Sequence, residues 1–357
     1  MKLNNLLLTV FAGSFLFVSC NNDDDNSTSA PSGAYDNGVL VLNQGNFGAG
    51  NATVSFISDT LTVENNIFAT NNTSSILGDT AQDLGFYKDL AYIVLNYSNK
   101  IEIVNRYTFK HVAEITEGLD NPRYIVFENG KAYVTNWGDG TVATDDYVAV
   151  VNLSTNQVTA SIPVAEGPER IVSENDKLYV THYGGYSIGN TITVINTNDD
   201  AVVDRIATGD APKFIVEEDN KIYVLSEGRP SYAGTETFGK LHTIDARTNK
   251  ITNTIDFPEG AHPSNLTIED DKMYYTIDNN IYVTSLKAKT LPTQPLFSVD
   301  EQGVYGIYAF EVNNNHIYVG DAENYIQNGK VYIYSTSGTL ENTFTVGLLP
   351  TGFYFNN

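Results

Sequence analysis

One short pattern returns seven times along this chain, and it narrows the possible folds more than any other feature. It is plainest in Asn129-Gly-Lys-Ala-Tyr-Val134, Asn175-Asp-Lys-Leu-Tyr-Val180, Asp219-Asn-Lys-Ile-Tyr-Val224, Asp270-Asp-Lys-Met-Tyr-Tyr275 and Asn314-Asn-His-Ile-Tyr-Val319. Lys88 to Val94 is a looser copy, and Gly38 to Asn43 is the first. Aligned on Leu40, Tyr92, Tyr133, Tyr179, Tyr223, Tyr274 and Tyr318, the copies lie about 41 to 52 residues apart, within the period of propeller blades. Seven anchors predict seven blades.

Each unit reads as four strands. A first strand opens near proline or glycine, as in Pro122 to Phe127, Pro168 to Val172 and Pro212 to Val216, because proline lacks the N–H that a mid-strand ladder needs. An Asn, Asp or Gly turn then leads into the Lys-x-Tyr-Val strand, since these residues tolerate the left-handed backbone of tight hairpins. A third strand follows, such as Tyr147 to Asn152 or Thr191 to Asn196, and a fourth ends the unit, such as Val158 to Ile162. The two ends of the chain are out of phase. Leu349 to Phe355 looks like a first strand with no second, and Val39 to Asn43 like a second strand with no first. One blade completed from both ends would close the ring and remove its free sheet edges. The expected fold is therefore an all-β, seven-bladed β-propeller closed by pairing of N- and C-terminal strands.

Residues 1–19 read as a processing segment: Lys2 supplies a positive start, and Leu6 to Val18 form an apolar run too short to span a bilayer. Cys20 is the sole cysteine, so an intrachain disulfide is impossible. Phe17-Val18-Ser19-Cys20 resembles a bacterial lipobox, with Phe17 where Leu is usual. That resemblance makes Cys20 the lipidated first residue of the mature protein, held at an outer membrane and exposed at the cell surface. Residues 20–35, which begin Cys20-Asn-Asn-Asp-Asp-Asp25, are polar and proline-containing, and too poor in apolar area to pack; they are read as an acidic tether. Residues 36–357 remain for the propeller. With 20 basic against 43 acidic residues, the chain is a poor partner for nucleic acid or anionic lipid, and its contact with a membrane is expected only through the anchor.

Tyr133-Val134-Thr135-Asn136 spells the signature of the YVTN-repeat, or YncE-like, propellers, which the mature chain resembles throughout. Within that family, Leu42-Asn-Gln-Gly-Asn-Phe-Gly48, Asn51-Ala-Thr-Val54 and Leu77-Gly-Asp-Thr-Ala-Gln82 look like a branch of surface lipoproteins found with TonB-dependent nutrient transporters. The resemblance implies capture of a nutrient and its transfer to such a transporter. One type in that branch binds cobalamin, which makes a corrinoid the leading ligand here, as cargo rather than cofactor.

In a four-stranded blade, the connections into the first strand and those between the second and third strands share one face of the disc. Here those loops are long and aromatic, whereas the other face is expected to carry short turns. Loops longer than a hairpin requires often bind something. Mixtures of Tyr, Trp, Asn, Gly and Arg also suit recognition, combining rigid area with adaptable hydrogen bonds. The candidate ligand-binding residues on these loops are Asn46, Phe47, Asn51, Trp137, Asp139, His182, Tyr183, Tyr186, Arg229, Tyr232, Asn324 and Tyr325. Arg123, Arg170 and Lys213 fall just after the strand-opening prolines, near the axis, where they would offer donors to an anionic or amide-rich ligand or neutralise nearby carboxylates. Trp137 is either an exposed anchor or a structural cap between blades.

The five histidines stand singly, without His-x-His, His-Glu-x-x-His or a cysteine partner for zinc, and no Gly-x-Ser-x-Gly elbow or phosphate loop is present. No metal ligands, cofactor or catalytic residues are assigned. The expectation is a non-catalytic binding protein; a platform for polypeptide or glycan, or a metal-dependent hydrolase, are the alternatives.

Overall fold

The computed structural model describes residues 33–73 and 75–357. The processing segment, Cys20 and nearly all of the tether lie outside the described residues. Among those residues, no helix is long and apolar enough to cross a membrane.

The strands pair into seven four-stranded antiparallel sheets. From the axis outward, blade 1 comprises 350–356, 38–43, 53–58 and 63–64, so its innermost strand comes from the C-terminus. The closing register sets Leu40 opposite Tyr354 and Val41 opposite Phe353. Blades 2 to 7 follow in chain order, with innermost strands at 81–87, 122–128, 168–174, 212–218, 264–269 and 307–313. Seven buried apolar clusters alternate with the sheets, each shared by two neighbouring blades. One of them joins Val331 and Ile333 of blade 7 to Val39 and Val41 of blade 1. The ring is closed.

The repeated motif has a physical meaning at each position. All seven anchors fall on the third residue of a six-residue second strand. Three of the tyrosines reach across to the turn between the third and fourth strands of the next blade. Tyr92 Oη donates to Asn156 Oδ1 (3.4 Å), Tyr133 Oη to Asp200 Oδ1 (2.7 Å) and Tyr179 Oη to Asn249 Oδ1 (2.9 Å). Each acceptor holds a positive φ, the conformation that Asn and Asp tolerate in tight turns. The motif lysines join two of these latches, Lys131 on Asp200 and Lys177 on Asn249.

Every innermost strand also carries a register shift near its start, one residue longer than its partner. Such a bulge turns successive side chains toward the same side. The N–H groups it frees find the motif threonines: Tyr124 N–H donates to Thr135 Oγ1 (3.0 Å) and Arg170 N–H to Thr181 Oγ1 (3.1 Å). Pairs such as Arg123-Tyr124 and Glu169-Arg170 thereby both line the axis.

Antiparallel order puts the connections into innermost strands and those between second and third strands on one face, called upper here. The long loops 44–52, 137–146, 183–190, 227–239 and 322–329 all lie there. The lower face departs from expectation in blade 6, where the connection at 286–296 is long while the upper one spans only 278–279. The chain enters the propeller at the lower face, where Asn37 N–H donates to Asn356 O (2.7 Å). Tyr35 is already buried against Phe56 and Phe109.

Candidate ligand-binding face

Two hollows that share Arg123 open toward the upper side. The first is an axial cavity of about 350 Å³ lined by innermost-strand residues from every blade. Blades 2 to 5 give it Gln82, Asp83, Arg123, Tyr124, Glu169, Arg170, Lys213 and Phe214, whereas Leu266, Phe310 and Phe353 add apolar wall on the other side.

The polar half is a bonded network. Glu169 is 2% exposed and receives Arg123 bidentately, Nε to Oε2 at 3.0 Å and Nη2 to Oε1 at 2.8 Å. Arg123 also stacks 4.1 Å from the Trp137 ring centroid. Arg170 lies between Tyr124 and Phe214, 4.7 and 4.9 Å from their ring centroids. Lys213 Nζ sits 3.4 Å from Glu227 and over the Tyr183 ring. Asp83 accepts from Ile125 N–H and Tyr354 Oη, each at 2.9 Å. Burial pushes its carboxyl up to about 6, although both bonds and the charge of Arg170 act in the opposite sense. Burial likewise raises Glu311, which accepts from Thr267 Oγ1.

The second hollow is a groove of about 270 Å³ that meets the cavity at Arg123. Phe47 packs at a tilt against Tyr97, ring centroids 4.1 Å apart, on one side, and Trp137 meets Tyr186 edge-on at 6.3 Å on the other. Asn96, Asn99 and Asn121 line the space between. Trp137 is a structural tie between blades: its Nε1 donates to Pro168 O (2.9 Å), joining blade 3 to blade 4, while its half-buried ring forms one wall of the groove.

The sequence-predicted residues thus separate into groups. Phe47, Arg123, Trp137 and Tyr186 converge on the groove, and Arg123, Arg170 and Lys213 on the cavity. Tyr183 lies under Lys213, and Arg229 pairs with Asp210 at 3.5 Å. Tyr232, the most exposed large side chain at 92%, stands apart on the rim. Tyr325 packs edge-on against Tyr305 and Tyr308. Asn46, Asn51, Asp139 and Asn324 shape their own loops: Asn51 Oδ1 accepts from Asn46 N–H, Asp139 Oδ1 from Thr141 N–H, and Asn324 Oδ1 from the N–H groups of Ile326 and Gln327.

His182 requires correction. It is the last residue of its strand, 1% exposed, with Nε2 at 2.8 Å from Thr193 Oγ1 and Nδ1 at 3.3 Å from Glu166 O. Burial lowers its pKa to about 4, so it is a neutral core residue that a ligand on the upper face cannot reach.

Residues not anticipated are Tyr97, on a loop of only four residues, and Asp83, Tyr124, Phe214, Tyr308 and Glu311 on innermost strands. The repeat itself holds a signal for Asp83, Tyr124 and Phe214, since alignment on the anchors places them level with Arg170.

The sequence matches the family described as "Domain of unknown function (DUF5074)" over residues 37–355. The chain belongs to the DUF5074 family. No curated protein matches it. Among solved structures, this DUF5074 propeller is similar to a quinonprotein alcohol dehydrogenase-like protein from Bacteroides thetaiotaomicron. That match has 14% identity and a TM-score of 0.67, over 90% of this chain and 79% of the other. A functionally unknown protein from Desulfotomaculum acetoxidans matches with 14% identity and TM-score 0.66, over 89% and 98% of the two chains. Apo AztD from Citrobacter koseri matches with 13% identity and TM-score 0.52, over 88% and 96%. At these identities the likeness is one of fold.

Proposed function

We propose that this protein is a non-catalytic surface lipoprotein, anchored through Cys20, that captures a nutrient on its upper face and passes it to a TonB-dependent outer-membrane transporter. A cobalamin-like corrinoid is the leading ligand. The observation that carries the binding part is the convergence at Arg123 of an aromatic-walled groove with a polar axial cavity. Flat aromatic walls and an asparagine floor match a macrocycle with amide arms, offering stacking area and fixed donors and acceptors. The cavity is near the lower limit of small-molecule sites, so a ligand of that size would lie across the rim and send one arm inward. Transfer and anchoring rest on the lipobox-like segment and on the family resemblance.

Titration calorimetry with cyanocobalamin, paired with Trp137 fluorescence, tests this reading. Binding at micromolar concentration with quenching of Trp137 is the expected result; neither heat nor quenching would refute the corrinoid assignment. Exposed Tyr232, Tyr186, Tyr305 and Ile326 around the same face favour, as second reading, an extended polypeptide or glycan. In that case alanine at Tyr232, remote from the groove, would weaken binding as much as alanine at Trp137.

A further inference from the structure

The cations around the axis are paired, with one exception among the described residues. Arg123 is taken by Glu169, Lys213 by Glu227 and Arg229 by Asp210. Arg170 makes no direct salt bridge and its side chain donates no hydrogen bond; Asp83, Glu169 and Glu311 reach it only through longer-range charge, and its Nε is buried without a partner. Leaving that buried donor unmade in a low-dielectric setting is costly. Tyr124 from the preceding blade and Phe214 from the following one hold the guanidinium, their ring centroids 4.7 and 4.9 Å from Cζ. With an aromatic ring from each neighbouring blade against it, the guanidinium turns its remaining N–H groups to the axial cavity that Arg170 lines.

We infer that these N–H groups are the recognition point for a carboxylate carried by a small organic molecule, whose apolar body lies against Leu266, Phe310 and Phe353. An in-plane fork of N–H donors matches the two coplanar oxygens of a carboxylate, whereas a neutral amide offers a single oxygen to the same fork. Asp83 and Glu311 line the same space and oppose any anion there, but a dianionic phosphate meets about twice the repulsion of a singly charged carboxylate and suits the cavity less. The volume of about 350 Å³ fits one ring with a short substituent. The aromatic clamp fixes Arg170 before the ligand arrives, which reduces the entropy lost on binding. The site needs no rim-bound ligand to function.

Calorimetry on the full chain with four probes of one ring each decides the matter: benzoate, benzamide, benzylamine and phenyl phosphate. Benzoate is expected to bind, with the other three at least about tenfold weaker. Arg170→Met should abolish that preference while leaving the far-UV circular dichroism unchanged. Arg170→Lys, which keeps the charge but lacks the fork, should weaken benzoate by about tenfold and decides the question if the methionine variant does not fold. Benzamide or phenyl phosphate binding as tightly as benzoate, undiminished benzoate binding by the variants, or no binding of any probe would overturn the assignment. Cyanocobalamin binding without benzoate selectivity would overturn only this site and leave the capture reading standing.

Discussion

Replacing Glu169 with Gln should destabilise the propeller by about 2–3 kcal/mol. The carboxylate of Glu169 is nearly inaccessible and accepts two charge-assisted bonds from Arg123, at 2.8 and 3.0 Å. Removing one member of a buried pair typically costs about 3–5 kcal/mol because the other charge is stranded. Arg123 is stranded only in part: its plane rests on Trp137 and it borders both open hollows, so water can rehydrate it. That places the loss below the full range, yet above the value of an exposed pair. Urea unfolding, followed by Trp137 fluorescence and by far-UV circular dichroism, measures it, with coincident transitions required before a free energy is extracted. A double-mutant cycle with Arg123→Met should return a coupling of about 1.5 kcal/mol or more, reduced only in part in about 1 M salt because the Glu169 end of the pair is buried. A loss below about 0.5 kcal/mol, or simple additivity of the two substitutions, would refute the description of this pair as a staple between blades 3 and 4.

Three further outcomes follow from the geometry. His182 is held neutral with its pKa depressed to about 4, so its contribution to stability is complete above its unfolded value near 6.5 and is lost as pH falls toward 4. His182→Gln should remove up to about 3 kcal/mol of that acid sensitivity, read from urea midpoints at the two pH values. Tyr179→Phe should cost about 1–2 kcal/mol, because the hydroxyl's bonds to Ala246 O and Asn249 Oδ1 across the blade boundary have no substitute; an unchanged urea midpoint would discount the latch. Gly167, at φ +61°, sits where an added Cβ would overlap the backbone of Gly184 and Gly185. Gly167→Ala should therefore displace loop 183–190 and shift Trp137 fluorescence through Tyr186, whereas an unaltered spectrum and melting temperature would contradict that packing.

The repeat made the architecture legible before any coordinates. Period, turn residues and the out-of-phase ends were enough to expect seven sheets and their closure, because each depends on local pattern and spacing. The axial cavity was less legible. Its composition depends on the bulge at the start of each innermost strand, which sends Asp83, Tyr124, Arg170 and Phe214 inward, and a bulge is a property of register between two strands. The groove joins Phe47 to Tyr97 and Trp137 to Tyr186, partners about fifty residues apart whose contact follows only from blades standing side by side. Tyr97 is hidden in the sequence because its loop has only four residues, and length is what marks the other binding loops. His182 reads as a loop residue beside its glycines, yet it occupies the register position of Asn136 in the preceding blade, and both are buried. The equivalence of the copies, position by position, is the sequence signal that puts it in the core.

Hydrogen–deuterium exchange on the full chain, with and without cyanocobalamin, tests most directly whether the upper face recognises ligand. Slower exchange is expected in loops 44–52, 96–99, 137–146 and 183–190, which frame the groove, with the lower face unchanged. Protection confined to 286–296 and the lower turns, or none anywhere, would contradict it.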